Sequence, residues 1–283
     1  MNRPMKMQLG SPLGFRRGLG VACAGAITVL AGYLSPLSTP DARADERLFT
    51  YSYEADALPV GRWEFEQWIT HRRGKSGGLF SRWDLREEIE YGLTERLTVA
   101  GYLNFQQTDT TASSAFKFKG VSAEFKYQVL NPNTQPIGLS LYVEPTYSGD
   151  EAEVEAKLIV QKNFGEKWVA VFNATLEPEW KYASAGPTTH ETKLEFTTGV
   201  AYKLNSHWSV GLEGRQRTVF DQLGLHKQLG SAWFVGPNVH YGTKSWWATF
   251  TVLPQVSGHP KTNGLDLGEH EKLEARLIVG LNF

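Results

Sequence analysis

Charged residues at alternate positions within apolar runs are the groups in this sequence best placed to do chemistry. They are Glu64, Glu66, Arg82, Arg86, Glu88, Glu90, Glu124, Lys126, Lys157, Glu195, Glu213, Arg215, Lys272, Glu274 and Arg276. Facing rows of carboxylates and cationic groups can bind or pass a small polar solute. They can equally pair with one another and fill an interior with side chains. Acids and bases nearly balance on this face, so charge count leaves both readings open. A wet interior lowers the cost of keeping such charges out of bulk solvent, which favours passage.

Catalysis needs a nucleophile, a base and an orienting group within reach of one another. Histidines stand at His71, His190, His207, His226, His240, His259 and His270, several near Asp150, Asp221 or Asp266. A loop-borne hydrolase is therefore a third reading. No H-x-x-x-H, C-x-x-C or G-x-G-x-x-G spacing occurs after Ala44, so no enzyme activity and no cofactor are expected. His259 and His270 share a Gly- and Pro-rich stretch that brings histidines together by accident, and no metal site is expected there.

The elements that must position these charges are strands. Apolar and polar residues alternate in runs starting near Trp63, Phe80, Leu97, Phe116, Ile137, Ala152, Trp168, Glu191, Trp208, Ser231, Ser245 and Glu271. Period-two alternation puts one residue type on each face of a strand. In the second run Trp83, Leu85, Ile89 and Tyr91 share a face, and Arg82, Asp84, Arg86, Glu88 and Glu90 share the other. The intervening segments alternate between short ones, such as Gly92–Arg96, and long ones, such as that ending at His270. An up-and-down membrane barrel has this alternation, because its turns are short on one side and its loops long on the other. Aromatics of apolar parity gather at the short-turn ends: Tyr91, Tyr127, Trp168, Tyr202, Trp208, Tyr241 and Trp246. Such a row is expected to lie at a membrane–water boundary as a girdle. The expected fold is all-β, a transmembrane antiparallel up-and-down β-barrel of about 12 strands, in contact with outer-membrane lipid.

The first 44 residues read as a signal peptide. Arg3, Lys6, Arg16 and Arg17 precede the apolar run Gly20–Leu34, and Ala42-Arg43-Ala44 gives a cleavage site. Their removal takes away five bases and one acid, leaving 24 Lys and Arg against 29 Asp and Glu, a net charge of −5. That acidity argues against nucleic-acid binding. The only cysteine, Cys23, leaves with the leader. Residues 45–60 carry Phe49, Tyr51 and Tyr53 and form a separate N-terminal segment, either a periplasmic tail or plug-like, with the barrel mouth or lumen the nearest surface for its aromatics. Residues 61–283 form the barrel.

The run Arg276–Phe283, RLIVGLNF, resembles the closing strand of bacterial outer-membrane barrels, with Leu277, Val279, Leu281 and Phe283 on one face. The resemblance implies that barrel-assembly machinery is a partner and reads this end. LPVGRWEFEQW, Leu58 to Trp68, is similar to the P-x-G-x-x-E-x-E opening of a group of uncharacterised Gram-negative outer-membrane proteins described as porin-like or transporter-like. Pro59, Gly61, Glu64 and Glu66 match it. This implies outer-membrane location and barrel architecture, and no particular substrate. The leading expectation is passage or binding of small polar solutes without catalysis. The alternative is a structural or adhesion barrel with a filled lumen.

Closure sharpens one expectation. Neighbouring first and second strands set Glu64 and Glu66 beside Glu88 and Glu90, and four acids need compensation. Arg276 and Lys272 of the last strand are expected within a few ångströms of Glu64 and Glu66, with Arg86 or Arg82 on the other flank.

Overall fold

The computed structural model describes residues 46–283 apart from Ser184 and Thr262. The expected leader lies outside the described residues. The first six strands are β1 (Trp63–Arg73), β2 (Phe80–Gly92), β3 (Leu97–Thr110), β4 (Ser114–Leu130), β5 (Gly138–Tyr147) and β6 (Glu151–Phe164). The rest are β7 (Trp168–Lys181), β8 (Thr189–Lys203), β9 (Trp208–Asp221), β10 (Lys227–Gly242), β11 (Trp246–His259) and β12 (Leu273–Asn282). The twelve starts fall within four residues of those read from alternation. Each strand pairs antiparallel with its chain neighbours, and β12 pairs with β1 to close the barrel. The seam runs to the last residue, where Trp63 and Phe283 exchange backbone hydrogen bonds of 3.1 Å. Closure leaves no sheet edge unpaired, which a hydrocarbon surrounding requires.

The faces invert the arrangement of a soluble barrel. On β4 Val121, Phe125 and Tyr127 are exposed, whereas Ser122, Glu124, Lys126 and Gln128 are buried within. The outside is therefore apolar and the inside polar, as lipid demands. On β12 Leu277, Val279 and Leu281 point outward with Phe283, and Glu274, Ile278 and Gly280 point inward.

Aromatics meet in tilted pairs across neighbouring strands at the short-turn end. Ring centroids lie 4.4 Å apart for Trp63–Tyr91, 4.8 Å for Trp168–Tyr202, 4.8 Å for Trp208–Tyr241 and 5.2 Å for Tyr241–Trp246. Tyr127 is exposed on the same outer face. Such pairs add cross-strand stabilisation of about 0.2–1 kcal/mol each.

The alternation of connection length is only partly as expected. Residues 111–113 and 148–150 are tight three-residue turns, because β3 and β4 on one side and β5 and β6 on the other run on through the stretches read as loops. Gly120 at φ +96° allows this on β4. The pairing register shifts there, so Phe116 and Phe118 keep facing outward beyond the irregularity.

Residues 46–58 enter the barrel instead of trailing from it. Arg47 to Ala55 are all buried, and three apolar clusters in the lumen form around them. Leu48 and Phe49 pack on Val169, Val171 and Ala201. Tyr51 packs with Ala232, Phe234 and Leu253. Tyr53 and Ala55 join Trp68, Tyr142, Ile159, Trp247 and Ile278.

Candidate functional site

A chain segment without secondary structure cannot be buried unless its backbone finds partners. Here the partners are side chains of the barrel wall. Glu213 on β9 accepts the backbone N–H groups of Thr50, Tyr51 and Ser52 at 3.1, 2.9 and 2.9 Å. It also accepts the hydroxyls of Thr50 at 3.3 Å and of Thr251 on β11 at 2.6 Å. Asn173 on β7 clamps Tyr53 from both sides, accepting its N–H at 2.6 Å and donating to its carbonyl at 3.0 Å. Gln161 takes the Ala55 N–H at 2.7 Å, while Gln128 and Ser140 donate to the Ala55 carbonyl at 3.0 and 2.8 Å. Arg276 donates to the Thr50 carbonyl at 2.8 Å, and Asn238 to that of Leu48 at 2.6 Å. Seven strands thus hold one strap across the lumen.

Aromatic packing fits the strap to particular gaps. A Cβ at Gly199 would lie 2.5 Å from the Phe49 ring, so only glycine leaves room for it. Gly199→Val should therefore displace Phe49 while leaving the barrel closed. Limited proteolysis should then cut the strap of the folded variant at protease levels that spare the parent; equal protection would contradict this fit.

The strap divides the interior into two spaces. At the long-loop end lies a cavity of about 580 Å³, floored by Tyr51 and Tyr53. At the short-turn end lies one of about 380 Å³, lined by Glu46, Leu48, Glu54 and Asp56 with turn residues such as Asn205 and His207. The loop between β11 and β12 folds over the outer mouth. Gln255 accepts the Asp266 N–H at 2.6 Å and donates to the Asp266 and Glu271 carbonyls at 2.9 Å. In that loop burial holds the His270 imidazole below its ordinary range, against the opposing effect of its hydrogen bond to the Asp266 carboxylate at 2.9 Å.

Charge in the larger cavity is segregated. On β5–β8 its walls carry eight carboxylates (Glu144, Glu151, Glu153, Glu155, Glu177, Glu179, Glu191, Glu195) and three ammoniums (Lys157, Lys181, Lys193). On β9, β12, β1 and β2 they carry six guanidiniums (Arg215, Arg217, Arg276, Arg72, Arg82, Arg86) against two acids, Asp84 and, behind Arg72 and Arg215, Glu274. Two ion pairs bridge the sides, Arg215 with Glu195 at 2.6 Å and Arg86 with Glu144. Within the basic side Arg215 meets Glu274 at 2.5 Å and Arg72 meets Asp84 at 2.8 Å. Lys193 meets Glu177 at 2.5 Å and Glu179 at 2.6 Å. Lys157 stands 3.6 Å above the Tyr53 ring, and Arg276 4.1 Å above that of Tyr51, so the strap also offers its aromatic faces to cations.

The expected charges thus fall into groups. Arg82, Arg86, Lys157, Glu195, Arg215 and Arg276 line the outer cavity, with Glu274 beside Arg215. Glu213 lies against the strap. Glu64, Glu66, Glu88, Glu90, Glu124 and Lys126 are buried along β1, β2 and β4. Lys272 is exposed ahead of β12 and donates its backbone N–H to Gly74, so it is not an interior charge.

The expected pairing across the seam is corrected. Glu64 opposes Asn282 and Glu66 opposes Gly280, whereas Arg276 opposes Thr70, further along β1. Arg276 accordingly bonds the Thr70 hydroxyl at 2.8 Å. Arg82 opposes Arg72 and Arg86 opposes Trp68, so neither flanks the acids. Glu64 and Glu66 do face Glu90 and Glu88. The base nearest Glu66 is Arg47 of the strap, at 3.6 Å. A register offset separated Arg276 from the acids, and register is what parity does not carry.

The strap's seat was missed, although a signal for it exists. Val169, Val171, Ala201, Phe234, Trp247, Leu253 and Ile278 are apolar residues at interior parity, and all are buried against or beside the strap. An interior filled only with water has no use for them.

Solved structures of an outer membrane channel and a porin share this fold. The crystal structure of the COG4313 outer membrane channel from Pseudomonas putida F1 superposes with a TM-score of 0.60 at 14% identity, covering 81% of this chain and 98% of that one. The NanC porin superposes with a TM-score of 0.53 at 12% identity, covering 77% of this chain and all of that one (100%). At such identities the likeness is one of fold. No curated protein matches the sequence. Residues 41–283, the whole barrel with its strap, match a single family, and the chain belongs to that family of unknown function (DUF6662).

Proposed function

We propose that the protein is a gated channel of the Gram-negative outer membrane for small polar solutes, closed at rest by its own N-terminal strap. The strap spanning a polar lumen, with open space on both sides, carries this reading. A barrel meant only as a scaffold has no need of a cavity of about 580 Å³ walled by charges of opposite sign on opposite sides. Such walls set up a transverse field that orients a dipolar solute before it reaches the Tyr51–Tyr53 floor. The solute class is therefore one carrying both charges, or several hydroxyls. No catalytic step is needed for this role.

A second reading has its own observation. The ion pairs and the strap together cross the whole lumen, as in a barrel that serves only as a wall anchor for its loops. Planar-bilayer recording separates the two. The mature protein should carry little steady current, and the chain lacking residues 45–57 should carry a steady current many times larger. If the shortened barrel, folded by its heat-dependent gel shift, conducts no better than the parent, the channel reading fails and the filled-barrel reading stands.

A further inference from the structure

The acids that Arg276 does not reach form an enclosed cluster of their own. Antiparallel register sets Glu64 across from Glu90 and Glu66 across from Glu88. The next row places Ala100 between Glu90 and Glu124, and the small alanine leaves the space above it to the two carboxylates. These five glutamates are between 0% and 5% exposed. Three bases stand close by: Arg47 at 3.6 Å from Glu66, Lys126 two residues along β4 from Glu124, and Arg86 two residues along β2 from Glu88, which is shared with Glu144. Five carboxylates against these bases leave an excess of negative charge in a site closed to bulk water.

Hydrogen bonds account for part of the cluster. Trp68 donates its indole N–H to Glu66 at 2.6 Å, Trp247 donates to Glu64 at 2.5 Å, and Tyr102 donates to Glu124. Gly280 makes the Trp247 contact possible, because any Cβ there would strike the indole ring. Glu88 is different. It is fully buried, and its oxygens meet no donor apart from the neighbouring carboxyls of Glu66 and Glu90. A buried carboxylate left without donors costs several kcal/mol, by order of magnitude, unless something positive answers it.

One oxygen from each of Glu66, Glu88 and Glu90 lies within 4.8 Å of the other two. An ion at the centre of that triangle stands at most about 2.8 Å from each oxygen, and a contraction of a few tenths of an ångström brings it to calcium's ~2.3–2.6 Å. We propose that Glu66, Glu88 and Glu90 bind a hard divalent cation, calcium by preference, in the wall between the strap and β1–β2. The donors are all oxygens, with no thiolate or imidazole, which selects against zinc and copper. Calcium accepts irregular coordination and sheds water readily, whereas magnesium demands an octahedron and keeps its waters. The bound ion answers the Glu88 carboxylate and ties β1 to β2 next to Arg47.

Terbium, a luminescent stand-in for calcium, tests the site because Trp68 is bonded to Glu66 and Trp247 to the neighbouring Glu64, so both can sensitise it. Purified mature barrel, stripped with EDTA, should show saturable tryptophan-excited terbium emission that calcium displaces. Calcium should also raise the temperature of the heat-dependent gel shift. Glu88→Gln should weaken terbium binding at least tenfold. Glu153→Gln, in the acidic group at the outer mouth, should leave it unchanged. Trp68→Phe should dim the emission yet keep the calcium-dependent shift, which guards against a folding defect in the glutamine variant. The absence of saturable emission from the parent overturns the proposal. So does equal binding by Glu88→Gln, or a calcium-insensitive shift with Glu88→Gln more stable than the parent, which is the result for carboxyls that share protons.

Discussion

Replacing Glu213 with alanine should release the strap from the barrel wall and leave the barrel itself closed. The carboxylate accepts three successive backbone N–H groups and two hydroxyls, all buried. A buried donor left unmet costs roughly 1–3 kcal/mol. Water admitted from the cavities offsets part of this, so a net loss of about 3 kcal/mol is a fair expectation, near a hundredfold in the ratio of seated to released strap. The measurement uses the lack of cysteine after Cys23. Ser52→Cys places a unique thiol at a position that is 0% exposed. That thiol should resist maleimide in the parent and react at least tens of times faster when Glu213→Ala is added. Unit conductance bursts should lengthen in the same variant. Equal labelling in the two backgrounds would show that Glu213 does not hold the strap, and would remove the gate from the proposed mechanism.

The barrel was legible in the sequence because period-two alternation is a local property. Trp83, Leu85 and Ile89 against Arg82, Arg86 and Glu88 fix two faces without reference to any other strand, and a dozen such runs fix a sheet. Turn boundaries were less legible. Strands β3 to β6 run past the expected limits, since Ser114, Ala115 and Glu151 carry no signal that distinguishes an extended strand above the membrane from a loop. Register was not legible at all. Arg276 meets Thr70 instead of Glu66, and that offset arises from closure of all twelve strands together. The strap lay between these cases. Its own sequence marked it as something that packs, but its seat is assembled from Val171, Ala201, Phe234 and Leu253 on four strands. Each of these is an isolated exception to its strand's pattern. They acquire meaning only when the barrel gathers them at one height, against a segment that the chain has already passed through.

Arg215→Ala should produce the largest loss of barrel stability among single changes in the outer cavity. The guanidinium is buried and joins two carboxylates from different strands, Glu195 on β8 at 2.6 Å and Glu274 on β12 at 2.5 Å. The second contact crosses the width of β10 and β11, so it ties together parts of the wall that do not share a ladder. Alanine would leave Glu274, 1% exposed, with Arg72 at 3.3 Å as its remaining close cation. Breaking one side of a buried ion pair costs about 3–5 kcal/mol, and the nearby cavity water places the expected value at the low end, roughly 3 kcal/mol. Urea unfolding in detergent micelles should show the midpoint fall with an unchanged slope, as for a loss of stability without a change in the surface exposed. Glu274→Gln added to Arg215→Ala should recover a large part of the loss, because the amide leaves no uncompensated charge. That recovery separates electrostatics from packing: a double variant as unstable as the single one would mean that Arg215 acts as a filler between strands. The conductance of the strap-free barrel offers a second readout. Loss of Arg215 removes one of six guanidiniums from the basic wall. Selectivity should therefore move toward cations even where the protein remains folded.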